Sequence, residues 1–507
     1  MQSLETPNRR PLSGIDAPDS SPSLGTDRMR VLIETVATLH TPESLAESLR
    51  GFPGLALLRT GAFDVSHARY SVLAIDPMLT FRSLGSACET RRPGGETTLQ
   101  FGNPWQHLAP LLARFELLDE VDVPFPLGAC IGYWGYDLNQ FVEPRVTHRA
   151  INDLQLPECH LGFYASLAVF DHAQREVSIV ATGLDADGNR SEARAREQLD
   201  WWRLRLRTEP AACAPPPIAS QPIQPGPPSL DRVGFIHAVE RALAYIRAGD
   251  IYQVNLARRL ELPCPVDSWS AFQRLLSVSP APFAAYFDCE DFAVASSSPE
   301  LFLRLSGRHL TTRPIKGTRP RSDDPIRDAQ LGWELQRSPK ENAELLMITD
   351  LLRNDVGRIS EYGSVRVPEL MRLERFAQVQ HLVSTVEGRL RAPLTHLDAL
   401  AACFPGGSIT GAPKIRAMEI IDELEPVARG PYCGCHGYLG FNEESQLSIT
   451  IRTAVLREGR AWVHTGAGIV ADSNPSDEFD ETEAKAAGLR AALNPEPVIG
   501  ALNSISS

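Results

Sequence analysis

The chain has no stretch of about 18 consecutive apolar residues, the length a membrane-spanning helix needs, and its N-terminus has no apolar leader core. A spanning segment and a secretory leader are therefore not expected. It also has no Lys/Arg-rich run, and its formal net charge is −13. Both features argue against nucleic acid and against an anionic membrane surface as partners. Nine cysteines, an odd number scattered over 507 residues, do not make the disulfide framework of a secreted domain. Cys433 and Cys435 form a Cys-x-Cys pair with no second pair to complete a tetrahedral metal site, and they read as small buried residues near a strand. Internal repeats are missing as well. These absences leave a soluble protein of a reducing, cytoplasmic compartment.

With 43% hydrophobic and 22% charged residues, the chain has apolar content for one large core or a few smaller ones. Residues 1–28 are rich in Pro, Ser, Asp and Gly and lack periodicity, which reads as a disordered extension. Between 29 and 207, β-like runs occur at Leu55–Arg59, Tyr70–Ile75, Leu161–Phe170 and Glu176–Ala181, and helical stretches lie near Pro42–Arg50 and Ser191–Arg207. A Pro/Ala/Ser/Gln-rich stretch at 208–230 has linker composition. Residues 231–495 form a tighter α/β-type segment, followed by a polar tail at 496–507.

Four motifs carry chemistry. Ser338-Pro339-Lys340-Glu341 opens a helix with Ser at N-cap and Pro at N1, and Gly357 is its expected stop. Glu341 and Glu344 project from one side of its start, although a capping box and the helix dipole also account for acids there. The run Asp472 to Thr482 repeats the spacing with Glu478 and Glu481 at a second helix start. Two such ends can converge on Mg²⁺, which takes one or two carboxylates plus water and substrate oxygens. In Arg313-Pro314-Ile315-Lys316-Gly317-Thr318-Arg319-Pro320, Gly317 and the prolines predict a turn centred on Lys316. A surface lysine is the ordinary reading of such a loop, whereas a partly buried lysine can shed its proton and act as a nucleophile. The glycine-rich runs Pro405–Lys414 and Thr465–Val470 match neither a P-loop nor a dinucleotide fingerprint. They read as tight β-turns, or as backbone that lets N–H groups approach carboxylate oxygens.

To these are added Asp250-Ile251-Tyr252-Gln253-Val254-Asn255-Leu256, Ser298-Pro299-Glu300-Leu301, Asp350-Leu351-Leu352-Arg353-Asn354-Asp355, His381-Leu382-Val383-Ser384 and Gly411-Ala412-Pro413-Lys414. On these motifs, in this order, the chain resembles the chorismate-utilising enzymes over nearly all of 29–493. The resemblance implies an α/β (α+β) fold: a large two-layer, mostly antiparallel β-sandwich flanked by helices, with both halves of the chain built together. It implies Mg²⁺ on Glu344 and Glu481, with Glu341 and Glu478 behind them. It also implies chorismate held at Gly317, Thr318, Ser408, Gly466, Ala467 and Gly468 and by the side chains of Tyr432, Arg452 and Lys485.

Within that family, position 316 divides the members. Anthranilate and isochorismate synthases typically carry Ala there, and the branch that aminates chorismate at C4 typically carries Lys. The resemblance thus implies that Lys316 adds to ring C2 while Glu300 protonates the departing C4 hydroxyl, after which ammonia attacks C4. The expected product is 4-amino-4-deoxychorismate, on the route to p-aminobenzoate and folate. His381 matches a histidine that assists pyruvate elimination in anthranilate synthases, and here it is expected to position substrate. No Gly-x-Cys-x-Gly elbow occurs, so a separate glutamine amidotransferase subunit is the expected source of ammonia. Leu57-Leu58-Arg59-Thr60 and Pro282-Phe283-Ala284 depart from the tryptophan-sensing stretches of anthranilate synthases. Anthranilate synthase component I is the alternative reading, and a catalytically silent chorismate-binding subunit is the alternative of another class.

Overall fold

The computed structural model describes residues 29–61, 68–118, 120–210, 224–376 and 379–493. The expected extension at 1–28 and tail at 496–507 lie outside the described residues, as does 211–223 of the linker-like stretch. Two antiparallel sheets, of eleven and twelve strands, form the frame. Each draws strands from both sides of the Pro-rich stretch: Ala56–Arg59 pairs with Phe283–Asp288 in one, and Ala129–Trp134 pairs with Cys435–Gly440 in the other. Apolar side chains of both sheets meet in one large core, among them Phe81, Trp134, Phe163, Val169, Leu256 and Leu447. The outer face of the eleven-stranded sheet is covered by helices Pro42–Ser48, Glu192–Arg207, Ser268–Val278 and Pro475–Leu493, which bury Leu45, Trp202, Trp269 and Leu489. A mostly antiparallel sandwich flanked by helices is what was expected.

Two local expectations are corrected. The run Leu161–Phe170 is two strands rather than one, Cys159–Tyr164 in the twelve-stranded sheet and Ser166–Asp171 in the eleven-stranded sheet, so the chain changes layers at Ala165. Nearly every residue across the junction is buried, and with both faces covered no alternation marks the crossing. The Pro339–Ile359 helix passes through Gly357 and ends at Ser360. Its buried face, Leu345, Ile348, Leu352, Val356 and Ile359, continues in 3.6 period beyond the glycine, and that packing outweighs the roughly 1 kcal/mol that glycine costs inside a helix.

Three pieces of this frame position the site. Strand Ile315–Pro320 pairs with Val379–Arg389 at one end of the twelve-stranded sheet. Strand Arg460–Ile469 pairs with Gln253–Pro263 near one end of the other sheet. Helices Pro339–Ile359 and Pro475–Leu493 begin beside them.

Candidate active site

The expected turn at Lys316 is a strand with a β-bulge. Lys316 opposes Leu382 and Thr318 opposes His381, so Gly317 is an extra residue, and its φ of +68° is one that glycine adopts without strain. The bulge brings Lys316, Thr318 and the partner strand's His381 to one cavity of about 470 Å³. Lys316 Nζ lies 3.5 Å from the carbonyl oxygen of Ser408, its one hydrogen-bond contact among the described residues. Ser408 comes from the 3₁₀ turn Gly407–Ile409, and its side chain bonds Glu300. Glu300 is buried, and burial pushes its carboxyl up, against the opposing pull of Ser408, Lys316 and the Ile315 backbone. An acid so placed keeps a proton to higher pH than an exposed glutamate does.

His381 Nδ1 sits 3.2 Å from the Gly317 carbonyl and 3.0 Å from Thr318 Oγ1. A carbonyl only accepts, so the proton is assigned to Nδ1 and Nε2 is left as the acceptor. Burial holds this ring below the usual histidine pKa, with Arg452 adding to the effect. On the opposite wall the Tyr432 ring stacks on His464, with centroids 5.2 Å apart. The run Thr465–Val470 is not a turn, because all of it but Val470 lies in the long strand Arg460–Ile469. A Cβ at Gly466 would come within 2.7 Å of the backbone Leu256 O, so close packing requires glycine there, whereas one at Gly468 would meet only the end of the Gln253 side chain, at 2.6 Å from Nε2. Ala467 between them turns the other way into the core and does not line the cavity.

Both glutamate pairs reach the cavity. Ser338 Oγ accepts the Glu341 N–H at 3.4 Å, but Glu341 does not close a capping box; its carboxylate lies 3.6 Å from Arg319. Glu344 is pushed up by burial and then by Glu341 and Glu481, with Lys316 and Lys340 opposing. Glu478 is pushed up by burial and by Glu481, against a bond from Ser473. Burial also opposes charge on Glu481, but Lys485, Lys340 and Lys316 together outweigh it and hold its carboxyl below the ordinary value. Lys485 Nζ bonds Glu481 at 2.6 Å and the Gly466 carbonyl at 2.8 Å. Among the described residues no three carboxylates, histidines or cysteines stand close enough to cage a metal. Mg²⁺ needs no such cage, and mutually repelling carboxylates from two helix starts are a donor set that fits it.

The acidic chain therefore gathers five lysine and arginine side chains, Lys316, Arg319, Lys340, Arg452 and Lys485, around one cavity. Arg319, Lys340, Asn255 and His464 also line it and were not singled out from sequence. A signal for Lys340 existed: the chain has only four lysines, 316, 340, 414 and 485. The fourth does not line the cavity: Lys414 Nζ bonds Asp355 at 2.6 Å and the Cys403 carbonyl at 3.0 Å. That buried pair ties the Pro339–Ile359 helix to both ends of the loop that carries Ser408. At the stretches expected to depart from tryptophan sensing, Arg59 pairs with Glu43, and the space among Leu58, Thr60 and Phe283 is about 20 Å³.

Residues 67–491 match the family described as chorismate binding enzyme. The chain belongs to the chorismate-binding enzyme family. It is 41% identical over 431 residues to aminodeoxychorismate synthase component 1 of Klebsiella aerogenes, covering 85% of this chain and 91% of that one. It is 39% identical over 468 residues to anthranilate synthase component 1 of Thermus thermophilus, covering 92% and 98%. Among solved structures, anthranilate synthase component I from Streptococcus pneumoniae superposes with a TM-score of 0.73 at 32% identity, covering 83% of this chain and 92% of that one. The two kinds of relative lie almost equally near, so overall identity separates them poorly. The cavity residues of this chorismate-binding enzyme have to separate them.

Proposed function

We propose that the chain aminates chorismate at C4 to give 4-amino-4-deoxychorismate, using ammonia from a glutamine amidotransferase subunit, in the cytoplasmic route to p-aminobenzoate and folate. The observation that carries this reading is Lys316, with a single long contact at Nζ and Glu300 beside it. The neutral Lys316 amine adds to ring C2, the ring double bonds shift, and the C4–O bond breaks as Glu300 gives its proton to the departing hydroxyl, releasing water. Ammonia then forms a bond to C4, the double bonds shift back and the C2–N bond to Lys316 breaks. The ionised Glu300 takes the extra proton from the new ammonium, which restores the acid for the next turnover. The enolpyruvyl ether is untouched throughout.

Arg452, Lys485 and Tyr432 are suited to the substrate carboxylates. Burial keeps the Tyr432 phenol protonated as a donor, and the backbone at Gly317, Gly466 and Gly468 lets an oxyanion approach closely. Glu344 and Glu481, supported by Glu341 and Glu478, would hold Mg²⁺, which when bound polarises the ring carboxylate as a Lewis acid. His381, neutral and accepting at Nε2, orients substrate beside Thr318. Ala467 supports the glycine strand from the core side. The cytoplasmic assignment rests on the eight described cysteines, all free and buried, and no helix among the described residues is long and apolar enough to cross a membrane.

The test mixes purified protein, chorismate, Mg²⁺ and ammonium salt and identifies the product by mass spectrometry. An amine that keeps the enolpyruvyl group is the expected result. Anthranilate with pyruvate would instead assign the chain to the activity named for its Thermus relative.

A further inference from the structure

A second cavity, of about 150 Å³, lies behind the Tyr432–His464 wall. Tyr136, Asp137, Asn139, Glu158 and Asp422 line it. Two of these residues end in buried polar atoms with no partner among the described residues: Asn139, 2% exposed, at Oδ1, and Tyr136, 5% exposed, at Oη. A buried carbonyl oxygen without a donor is costly, so the cavity calls for a small molecule that donates hydrogen bonds. The surrounding charge selects its sign. Glu425 is spent in a two-pronged bond with Arg429, and that pair is neutral overall. Asp137, Glu158 and Asp422 remain, each satisfied only by backbone N–H or hydroxyl donors: Gly430, Gly85, Arg149 and Thr147 among them. Burial holds His148, also on the wall, below the usual histidine pKa, against the opposing pull of Asp422. What suits a loose acidic cavity with an unpartnered amide oxygen is a monovalent cation rich in N–H donors.

We propose that this cavity is an ammonium-binding site that holds the nitrogen donor of the reaction behind the active-site wall. The proposal rests on the reading that ammonia is the nucleophile. Its placement suits that use. Arg429 lines the cavity and donates to the carbonyls of Ile409 and Asn255, two residues that face the active site. A narrow pocket of about 20 Å³ shares Arg429 and Asn152 with the ammonium cavity and Tyr432 and His464 with the active site. The guanidinium opposes passage of a cation. What crosses is uncharged ammonia: one N–H bond of ammonium breaks and the proton forms an O–H bond on the carboxylate of Asp137 or Glu158. Burial raises these two carboxyls to about 6 and about 7, which makes them better proton acceptors than exposed acids. His464 Nε2, buried and unpartnered, lies on the path as an acceptor for the ammonia N–H.

The test uses the full chain at saturating chorismate and Mg²⁺ with ammonium varied. Tyr136→Phe removes a hydroxyl that bonds nothing, and Asp137→Asn keeps the acceptor for Gly430 N–H, so both variants should fold. The expected result is an ammonium KM raised about threefold in Y136F and about tenfold in D137N, with chorismate KM and product unchanged. An unchanged ammonium KM in both folded variants overturns the site. Crystals soaked in rubidium, which is close to ammonium in size, should show an anomalous peak in this cavity; its absence overturns the proposal independently of turnover. Should the wild type make anthranilate, the C4 reading fails while the KM comparison still decides the site. Should it make no ammonium-dependent product, the rubidium map decides alone.

Discussion

The active-site region and the rest of the molecule use different cations. The chain carries 46 arginines and four lysines, and arginine fills the structural ion pairs: Arg69 with Asp171, Arg313 with Glu374, Arg429 with Glu425. Three of the four lysines line the cavity, and the fourth, Lys414, is bonded to Asp355 and to the Cys403 carbonyl. Charge alone does not explain this, since Arg319 and Arg452 also line the cavity. Lysine differs from arginine in two respects that matter there: it can become a neutral amine, and its charge is compact on a slender stem. The two lysines of sharpest contrast are Lys316 and Lys414. Lys316 makes one contact at 3.5 Å, whereas Lys414 is fixed between a carboxylate at 2.6 Å and a carbonyl at 3.0 Å. The first is left free to react and the second holds structure.

Arginine substitution breaks or sharpens that contrast. The largest effect belongs to Lys316→Arg, which keeps the charge and removes the nucleophile. C4 amination should fall by roughly 10³-fold or more, read as kcat by mass spectrometry of product. Retention of more than a tenth of the rate would mean that Lys316 acts through charge and that the contrast with the arginine-held surface is empty.

Next comes the acid beside it. Glu300→Gln should lower kcat by about 10²–10³-fold, the usual worth of a general acid, and abolish the alkaline limb that its deprotonation sets. Stability should move the other way. Burial raises the folded-state pKa of Glu300 above its ordinary 4.5, so the group stabilises the fold below the unfolded pKa and that stabilisation is lost as pH rises through the folded one. The glutamine variant should therefore melt higher than wild type at neutral pH, and the gap should close as pH falls toward 4.5. A gap independent of pH would assign the change to packing.

How much of this was legible in the sequence depends on what kind of pattern carried it. Strands with turn signals at both ends were found within a residue: Glu176–Ala181 was read as it stands, and Tyr70–Ile75 ends at Ala74. The two helix starts with paired glutamates were also readable, because capping chemistry is local. The bulge at Gly317 was not, since the same Pro-x-x-Gly pattern serves a turn, and only the two-against-one pairing with Val379–Arg389 decides between them. The role of Gly466 and Gly468 depends on Leu256 and Gln253, some 200 residues earlier in the chain. Lys414 was quoted as part of a glycine-rich run, but its partner Asp355 is supplied by tertiary packing alone.

That partner gives a prediction of intermediate size. Lys414→Met leaves Asp355 buried without a counter-charge and should destabilise the protein by about 3–5 kcal/mol in chemical denaturation. The pair Lys414→Met with Asp355→Leu removes both charges and should recover stability to within about 1–2 kcal/mol of wild type. Its kcat should still fall about tenfold, because the loop bearing Ser408 loses its tie to the Pro339–Ile359 helix and shifts against Glu300 and Lys316. Full activity in the stable double variant would reduce the pair to a folding device, no different in kind from the arginine pairs elsewhere.

The smallest effect is expected at Lys340, and it closes the comparison from the other side. Lys340 lines the cavity from the first turn of its helix, is exposed, and makes no hydrogen bond or ion pair among the described residues. Its influence is exerted at a distance, on Glu344, Glu478 and Glu481. A charge acting through solvent needs neither a neutral form nor a slender stem, so arginine should serve nearly as well. Lys340→Arg is expected to keep kcat/KM for chorismate within about twofold, while Lys340→Gln raises the chorismate KM several-fold at low salt, by an amount that shrinks as ionic strength rises. If K340R behaves like K316R instead, the lysine at this position is needed for its chemistry, and the division of the cavity into one reactive lysine and two electrostatic ones has to be redrawn.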